Sequence, residues 1–207
     1  MMKFFLPLLL ILMISSCGSH QAITGKSASA HSKAGWADMQ KGDWDSARRH
    51  FARAVGNGNL ANLPASNMAV FNYEYGRSLG VTCFYDEAET YLLKAYELDQ
   101  ESDGPTYMSL TELSRLLMDQ QRYEEAARYF ERLFNELPEK TIHEAPIGHA
   151  DILGEYAVVL SKIGRYDEAI DIRNRERSIR EANPEGHSMT DRTPYGSHCA
   201  DKPTASG

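Results

Sequence analysis

Gln121-Arg122-Tyr123-Glu124-Glu125-Ala126-Ala127-Arg128-Tyr129-Phe130-Glu131-Arg132-Leu133-Phe134-Asn135-Glu136-Leu137-Pro138 is the stretch whose reading decides the fold. Its apolar residues Tyr123, Ala126, Ala127, Phe130, Leu133, Phe134 and Leu137 recur at steps of three and four, which places them on one face of a helix. Pro138 ends that helix, because proline has no amide proton to donate and restricts the residue before it. One amphipathic helix cannot shield its own stripe, so the rest of the chain must supply neighbours.

It does so by repetition. The corner Gln121-Arg122-Tyr123-Glu124-Glu125-Ala126 recurs as Gly42-Asp43-Trp44-Asp45-Ser46-Ala47, Cys83-Phe84-Tyr85-Asp86-Glu87-Ala88 and Gly164-Arg165-Tyr166-Asp167-Glu168-Ala169. Each has an aromatic three residues before an alanine, with acids that suit the positive end of a new helix. The aromatic is expected to pack across the turn onto the preceding helix, and the alanine to let two helices approach closely. The corners predict four helical hairpins.

This pattern resembles the tetratricopeptide repeat. The third copy carries the resemblance best, with Leu110, Leu113 and Leu117 before the corner, Ala126, Phe130 and Pro138 after it, and Ser114 where the family has glycine. The others contribute Tyr75-Gly76, Leu79, Ala88 and Leu92; Ala34-Gly35, Ala47 and Phe51; and Leu153, Tyr156-Ala157, Leu160 and Ala169, with Arg173 in place of a large apolar residue. The resemblance covers residues 33–183 and implies an all-α fold, a short right-handed α-solenoid of about four hairpins. Trp44, Tyr85, Tyr123 and Tyr166 stand 41, 38 and 43 residues apart, longer than the usual repeat. The surplus falls in Gly/Pro-punctuated segments, including Thr141 to Gly148, read as longer connections. Repeats of this period resemble those of kinesin light chains. The highly charged helix Tyr166 to Ala182 fits a terminal cap of a stack whose ends must be soluble.

The amino terminus reads as an address. One positive charge, Lys3, precedes the apolar run Phe4 to Ile14, too short for a bilayer core that needs about 20 apolar residues. Ile14-Ser15-Ser16-Cys17 resembles the bacterial lipobox. That resemblance implies a signal peptide over 1–16, cleavage before Cys17, lipidation of its sulfur and N-acylation, and anchoring in the bacterial outer membrane facing the periplasm, Gly18 favouring the outer over the inner membrane. Two or three acyl chains hold where one is marginal. Residues 17–32, rich in Ser, Ala, Gly and Thr, are expected to form a flexible tether. Residues 184–207 read as an irregular polar tail, though Met189, Tyr195 and Cys199 are more than a spacer needs.

Among 207 residues the formal charge is −7, and acids and bases alternate along the helices, which argues against nucleic acid and reads as solvated surface. The three cysteines are too scattered for a zinc site or a disulfide scaffold. With Cys17 lipidated, Cys83 and Cys199 either pair, pinning the tail along the solenoid, or remain one buried and one free thiol. No catalytic motif, cofactor loop or metal-ligand set emerges. His143 and His149 are six apart with Pro146 and Gly148 between them, unlike the helical H-E-x-x-H pair, and read as a loop. His187, His198 and Cys199 lack a fourth ligand.

The family resemblance implies that the first helices of the hairpins line a groove for envelope proteins or peptides, with no enzymatic role. In register, Arg77 matches Arg115 and Glu74 matches Glu112. The two arginines, with Tyr73 and Met118, form a candidate basic ladder for a carboxylate or acidic segment. The same residues also read as ordinary i,i+3 surface pairs. Trp36 is a further candidate contact. The expected function is a non-catalytic protein–protein interaction scaffold of the cell envelope. The alternative is a periplasmic module binding a small ligand or a metal, with the tail closing the groove.

Overall fold

The computed structural model describes residues 6–187 and 192–199, and the side chains from residue 21 onward. Met189 lies outside the described residues, as does the side chain of Cys17. The elements are α1 (Leu6–Gln40), α2 (Trp44–Leu60), α3 (Ala65–Val81), α4 (Tyr85–Glu101), α5 (Thr106–Asp119), α6 (Tyr123–Glu136), α7 (Glu139–Glu144), α8 (Pro146–Lys162) and α9 (Tyr166–Ala182). The pairs α1–α2, α3–α4, α5–α6 and α8–α9 are four helical hairpins stacked in chain order. Among the described residues, no helix is long and apolar enough to cross a membrane.

Every hairpin turns at the same place by the same geometry. Gly42, Cys83, Gln121 and Gly164 occupy equivalent positions and all have positive φ, at 76°, 73°, 61° and 80°. The next residue donates its amide five residues back, as in Asp43 to Asp38, Phe84 to Leu79, Arg122 to Leu117 and Arg165 to Leu160. This is the left-handed termination that glycine favours and other residues occupy at a cost of about 1–2 kcal/mol.

Close approach within a hairpin follows from small residues on its first helix. A Cβ on Gly35 would lie 2.8 Å from the Phe51 ring, and one on Gly76 would lie 2.8 Å from Leu92 Cγ. Fully buried Ser114 and Ala157 hold the equivalent places in the third and fourth hairpins. The core between them runs through Phe51, Leu92, Leu113, Phe130, Leu133 and Leu160, all essentially inaccessible. α9 buries only Ala169 among its described side chains, in keeping with a cap. The corner aromatics grade from Trp44 at 5% exposed to Tyr166 at 65%, since among the described residues no further hairpin packs over the last corner.

Three expectations are corrected. Residues 17–32 are helical as part of α1, not a flexible tether, and from 21 onward they belong to the solenoid. Thr24, Ala28 and Ser32, one turn apart, form a buried stripe of small residues, and Ala28 joins Ala54, Val55, Met68 and Phe71 in one cluster. The connection Thr141 to Gly148 is not a plain loop: it contains α7, and Pro146 opens α8 from its first turn, where its missing amide costs nothing. The alternating charges are not all solvated, since Glu74, Glu112 and Arg115 are buried.

Candidate groove and the tail that fills it

The helices α3, α5 and α8 each turn a charged register position toward the same face, and stacking brings these positions together. Arg77 Nη1 lies 3.3 Å from Glu74 on its own helix and Arg77 Nε lies 3.7 Å from Glu112 on the next hairpin. Arg115 repeats the pattern, with Nη1 3.2 Å from Glu112 and Nε donating to Glu155 at 2.8 Å. Register would place a third arginine at position 158, but that residue is Val158. The tail provides the cation instead: Arg192 stands 3.5 Å from Glu155 and donates to Asp119.

The result is an alternating row, Glu74–Arg77–Glu112–Arg115–Glu155–Arg192, with Asp119 at its end. Burial pushes Glu74 up to about 7, with Glu112 adding to the effect and Arg77 opposing it. Burial also acts to raise Glu112, but Arg77 and Arg115 outweigh it and hold Glu112 below the usual carboxylate range. Glu155 stays above that range because burial outweighs Arg115. With Glu74 protonated, three arginines face three carboxylates and the row is neutral.

Arg77 and Arg115, expected as a basic ladder for an acid, are bonded here to Glu74, Glu112 and Glu155. Their charges are already spent on neighbours, and an added carboxylate would unbalance a buried, compensated set. Met118 does not face the groove either; it packs against the core cluster around Leu117 and Phe130. Trp36 remains 41% exposed on α1.

The irregular tail segment 192–199 lies across the ends of α3 and α5. Tyr195 is buried at 7% exposure and donates its phenolic proton to Glu112 at 2.7 Å. Its ring fills the space that a side chain on Gly80 would need, 2.4 Å from the Cβ position, beside Leu116. Its backbone amide donates to Asp119 at 2.9 Å. Gly196 donates to the Gly80 carbonyl and His198 to that of Val81, each at 3.0 Å, so the tail satisfies last-turn carbonyls of α3. The His198 ring stands 6.2 Å from that of Trp44. Cys199 is joined to Cys83 by a disulfide, their Cα atoms 5.2 Å apart.

Beside the tail, an apolar cleft of about 270 Å³ stays open, lined by Tyr73, Tyr107, Met108, Thr111, Ile142 and Ile152, with Glu112 and Arg115 at its base. α7 supplies one wall, so the residues that lengthen the third spacing serve to shape the cleft. His149 also lines it, at 6% exposure and edge-on to Phe134, with Nδ1 unpartnered among the described residues. Burial, helped by Arg175, lowers its pKa and disfavours the charged imidazolium. His143 is exposed on α7, apart from His149, and among the described residues no group of three or more His, Cys, Asp or Glu could hold a metal ion.

Of the four residues expected to line a partner groove, Tyr73 and Arg115 line this cleft. Glu155 could have been found by continuing the glutamate register one repeat further. Asp119, Arg192 and Tyr195 carry no periodic signal.

Comparison with known proteins agrees with this architecture. The family model described as Tetratricopeptide repeat matches residues 106–134, which span α5 and most of α6. No curated protein matches the sequence. Among solved structures, BtubC (BKLC) from P. vanneervenii superposes with a TM-score of 0.70 at 19% identity, covering 80% of this chain and 67% of that one. A Podosopora anserina putative kinesin light chain with nearly identical TPR-like repeats gives a TM-score of 0.61 at 17% identity, covering 80% and 84%. MamA gives 0.60 at 15% identity, covering 76% and 81%. The chain therefore has the fold of a tetratricopeptide-repeat solenoid and carries a recognisable repeat in its third hairpin.

Proposed function

We propose that the protein is a non-catalytic interaction scaffold of the bacterial cell envelope, displayed on a lipid anchor at Cys17. It takes an uncharged, apolar segment of a protein partner in the cleft between α3, α5, α7 and α8. Solenoids of this repeat generally bind proteins, which supports the class of function. The observation that carries the finer reading is the cleft itself: its walls are Tyr73, Tyr107, Met108, Ile142 and Ile152, and the charges at its base are already paired. An apolar side chain entering it would lose water without disturbing an ion pair, whereas an acidic one would lose its hydration with no cation free to replace it.

The test uses a photo-crosslinking side chain at position 108 of the full-length protein, 39% exposed at the cleft mouth. In intact envelopes it should capture a discrete protein, and Met108→Glu should abolish that protein's co-purification while leaving the helical signal unchanged. Cys17→Ser should remove palmitate labelling and shift the protein out of the membrane fraction. Co-purification of the captured protein that survives Met108→Glu would overturn the cleft as the docking site. The tail's position in the groove favours a second reading, a small-ligand module; a bound small molecule in native mass spectrometry, with no partner captured from position 108, would support it.

A further inference from the structure

The segment 192–199 is held as a ligand is held. It has no helical or strand structure of its own, and its contacts include one buried aromatic ring, ion pairs from Arg192 to Asp119 and Glu155, and amides donating to groups of α3 and α5. The recess is built from residues of the helical hairpins. Gly80 and Leu116 form the walls, and α3 and α5 are positioned by stacking against α4 and α6. Glu112, the acceptor at the bottom, is fixed from both sides by Arg77 and Arg115. Asp119 waits at the mouth for a cation and an amide.

We infer that this recess is a recognition slot for a peptide bearing arginine three residues before a Tyr-Gly pair, and that the Cys83–Cys199 disulfide keeps the chain's own tail there as the resident occupant. The latch is what makes occupancy persistent. A short irregular segment gains little beyond the entropy lost in ordering it, and the disulfide adds to the chain's own tether a second tie beside the slot, which raises the effective concentration of the segment there. Cys199 is exposed and Cys83 half-buried, so the bridge is within reach of a dithiol reductant. One thiolate of the dithiol attacks Cys199 Sγ and expels Cys83 as thiolate. The second thiol then resolves the mixed disulfide, leaving two protein thiols and one oxidised dithiol. The freed slot takes a partner segment of the same chemistry. This site adjoins the apolar cleft and shares Glu112 with it, but the assay below needs no cleft partner, so failure of one reading is distinguishable from failure of the other.

The experiment measures binding of a fluorescent synthetic peptide with the sequence of residues 192–198, and of the same peptide with its tyrosine replaced by alanine, to the full-length chain. Oxidised wild type should bind neither. Wild type reduced with dithiothreitol, and the double variant Tyr195→Ala, Cys199→Ser, should bind the tyrosine peptide at least about tenfold more tightly than the alanine peptide. Adding Gly80→Val to the double variant should abolish binding by filling the slot. Circular dichroism establishes that each protein retains its helices, and the reduced wild type serves as test should the double variant not fold. Equal affinity for the two peptides, or no gain on reduction with helicity intact, would overturn the inference.

Discussion

A Cβ on Gly80 would stand 2.4 Å from Cδ1 of Tyr195, a residue more than a hundred positions further along the chain. The absence of a side chain at position 80 is therefore what admits the tail to the helical stack. Gly76, one turn earlier on the same helix, serves the hairpin instead, by its approach to Leu92.

Gly80→Val should expel Tyr195 while leaving the four hairpins paired. The expected signature is faster cleavage of the tail by trypsin at Arg192, together with a stability loss of about 1–3 kcal/mol from overpacking against Tyr195 and Leu116. Limited proteolysis and urea unfolding check this; a tail as protected as in wild type would show that the ring is not seated there.

Arg115 is 5% exposed and bridges Glu112 and Glu155. Removing one member of a buried ion pair leaves charge uncompensated and costs about 3–5 kcal/mol. Arg115→Gln should fall in that range, well above any exposed arginine such as Arg128, for which about 0–1 kcal/mol is expected. Denaturant midpoints of the two variants decide the comparison.

Glu74 contributes a pH dependence of defined sign. Its folded value of about 7 lies above the ordinary 4.5, so between these values the folded chain holds a proton that the unfolded chain has released. Stability must then fall as pH rises through that window, and the loss is complete above about 7. Glu74→Gln removes the titration, so wild type should lose ground to this variant between pH 5 and pH 8, by about 3 kcal/mol at most. Parallel unfolding curves at the two pH values, keeping the same separation, would contradict the burial of this carboxyl.

The corner positions give a test of backbone strain. Gln121 adopts φ 61° where the first and last corners have glycine. Gln121→Gly should stabilise the fold by about 0.5–1 kcal/mol, the relief of left-handed strain exceeding the added freedom of the unfolded chain, and Gly164→Ala should destabilise it. Thermal melts of both variants check the pair, and opposite shifts are expected.

The hairpins were legible because their signal is local and repeated: an aromatic, two or more acids and an alanine within six residues, with small residues such as Gly35 and Gly76 a fixed distance before them. The bonding of Arg77 and Arg115 was half legible. Register placed them in line, but their partners sit on neighbouring hairpins, and a rung such as Arg115 to Glu155 appears only once the stacking is known. The place of Tyr195 was not legible at all, since a segment without periodicity gives no register to extend. Residues 21–32 were misread for a related reason: Thr24, Ala28 and Ser32 form a helical stripe of small side chains, and composition alone makes such a stripe look like a spacer.

In an ordinary solenoid each module senses only its immediate neighbours, so an end can fray while the middle stays intact. Here the strand of chain leaving the fourth hairpin returns to the second and is sutured there across a separation of 116 residues. Peeling the last pair of helices away must therefore strain a knot tied near the middle, and what would be a zipper with loose ends melts as a closed loop. Calorimetry should register this as one sharp transition in the oxidised protein and a broader, stepwise one after reduction.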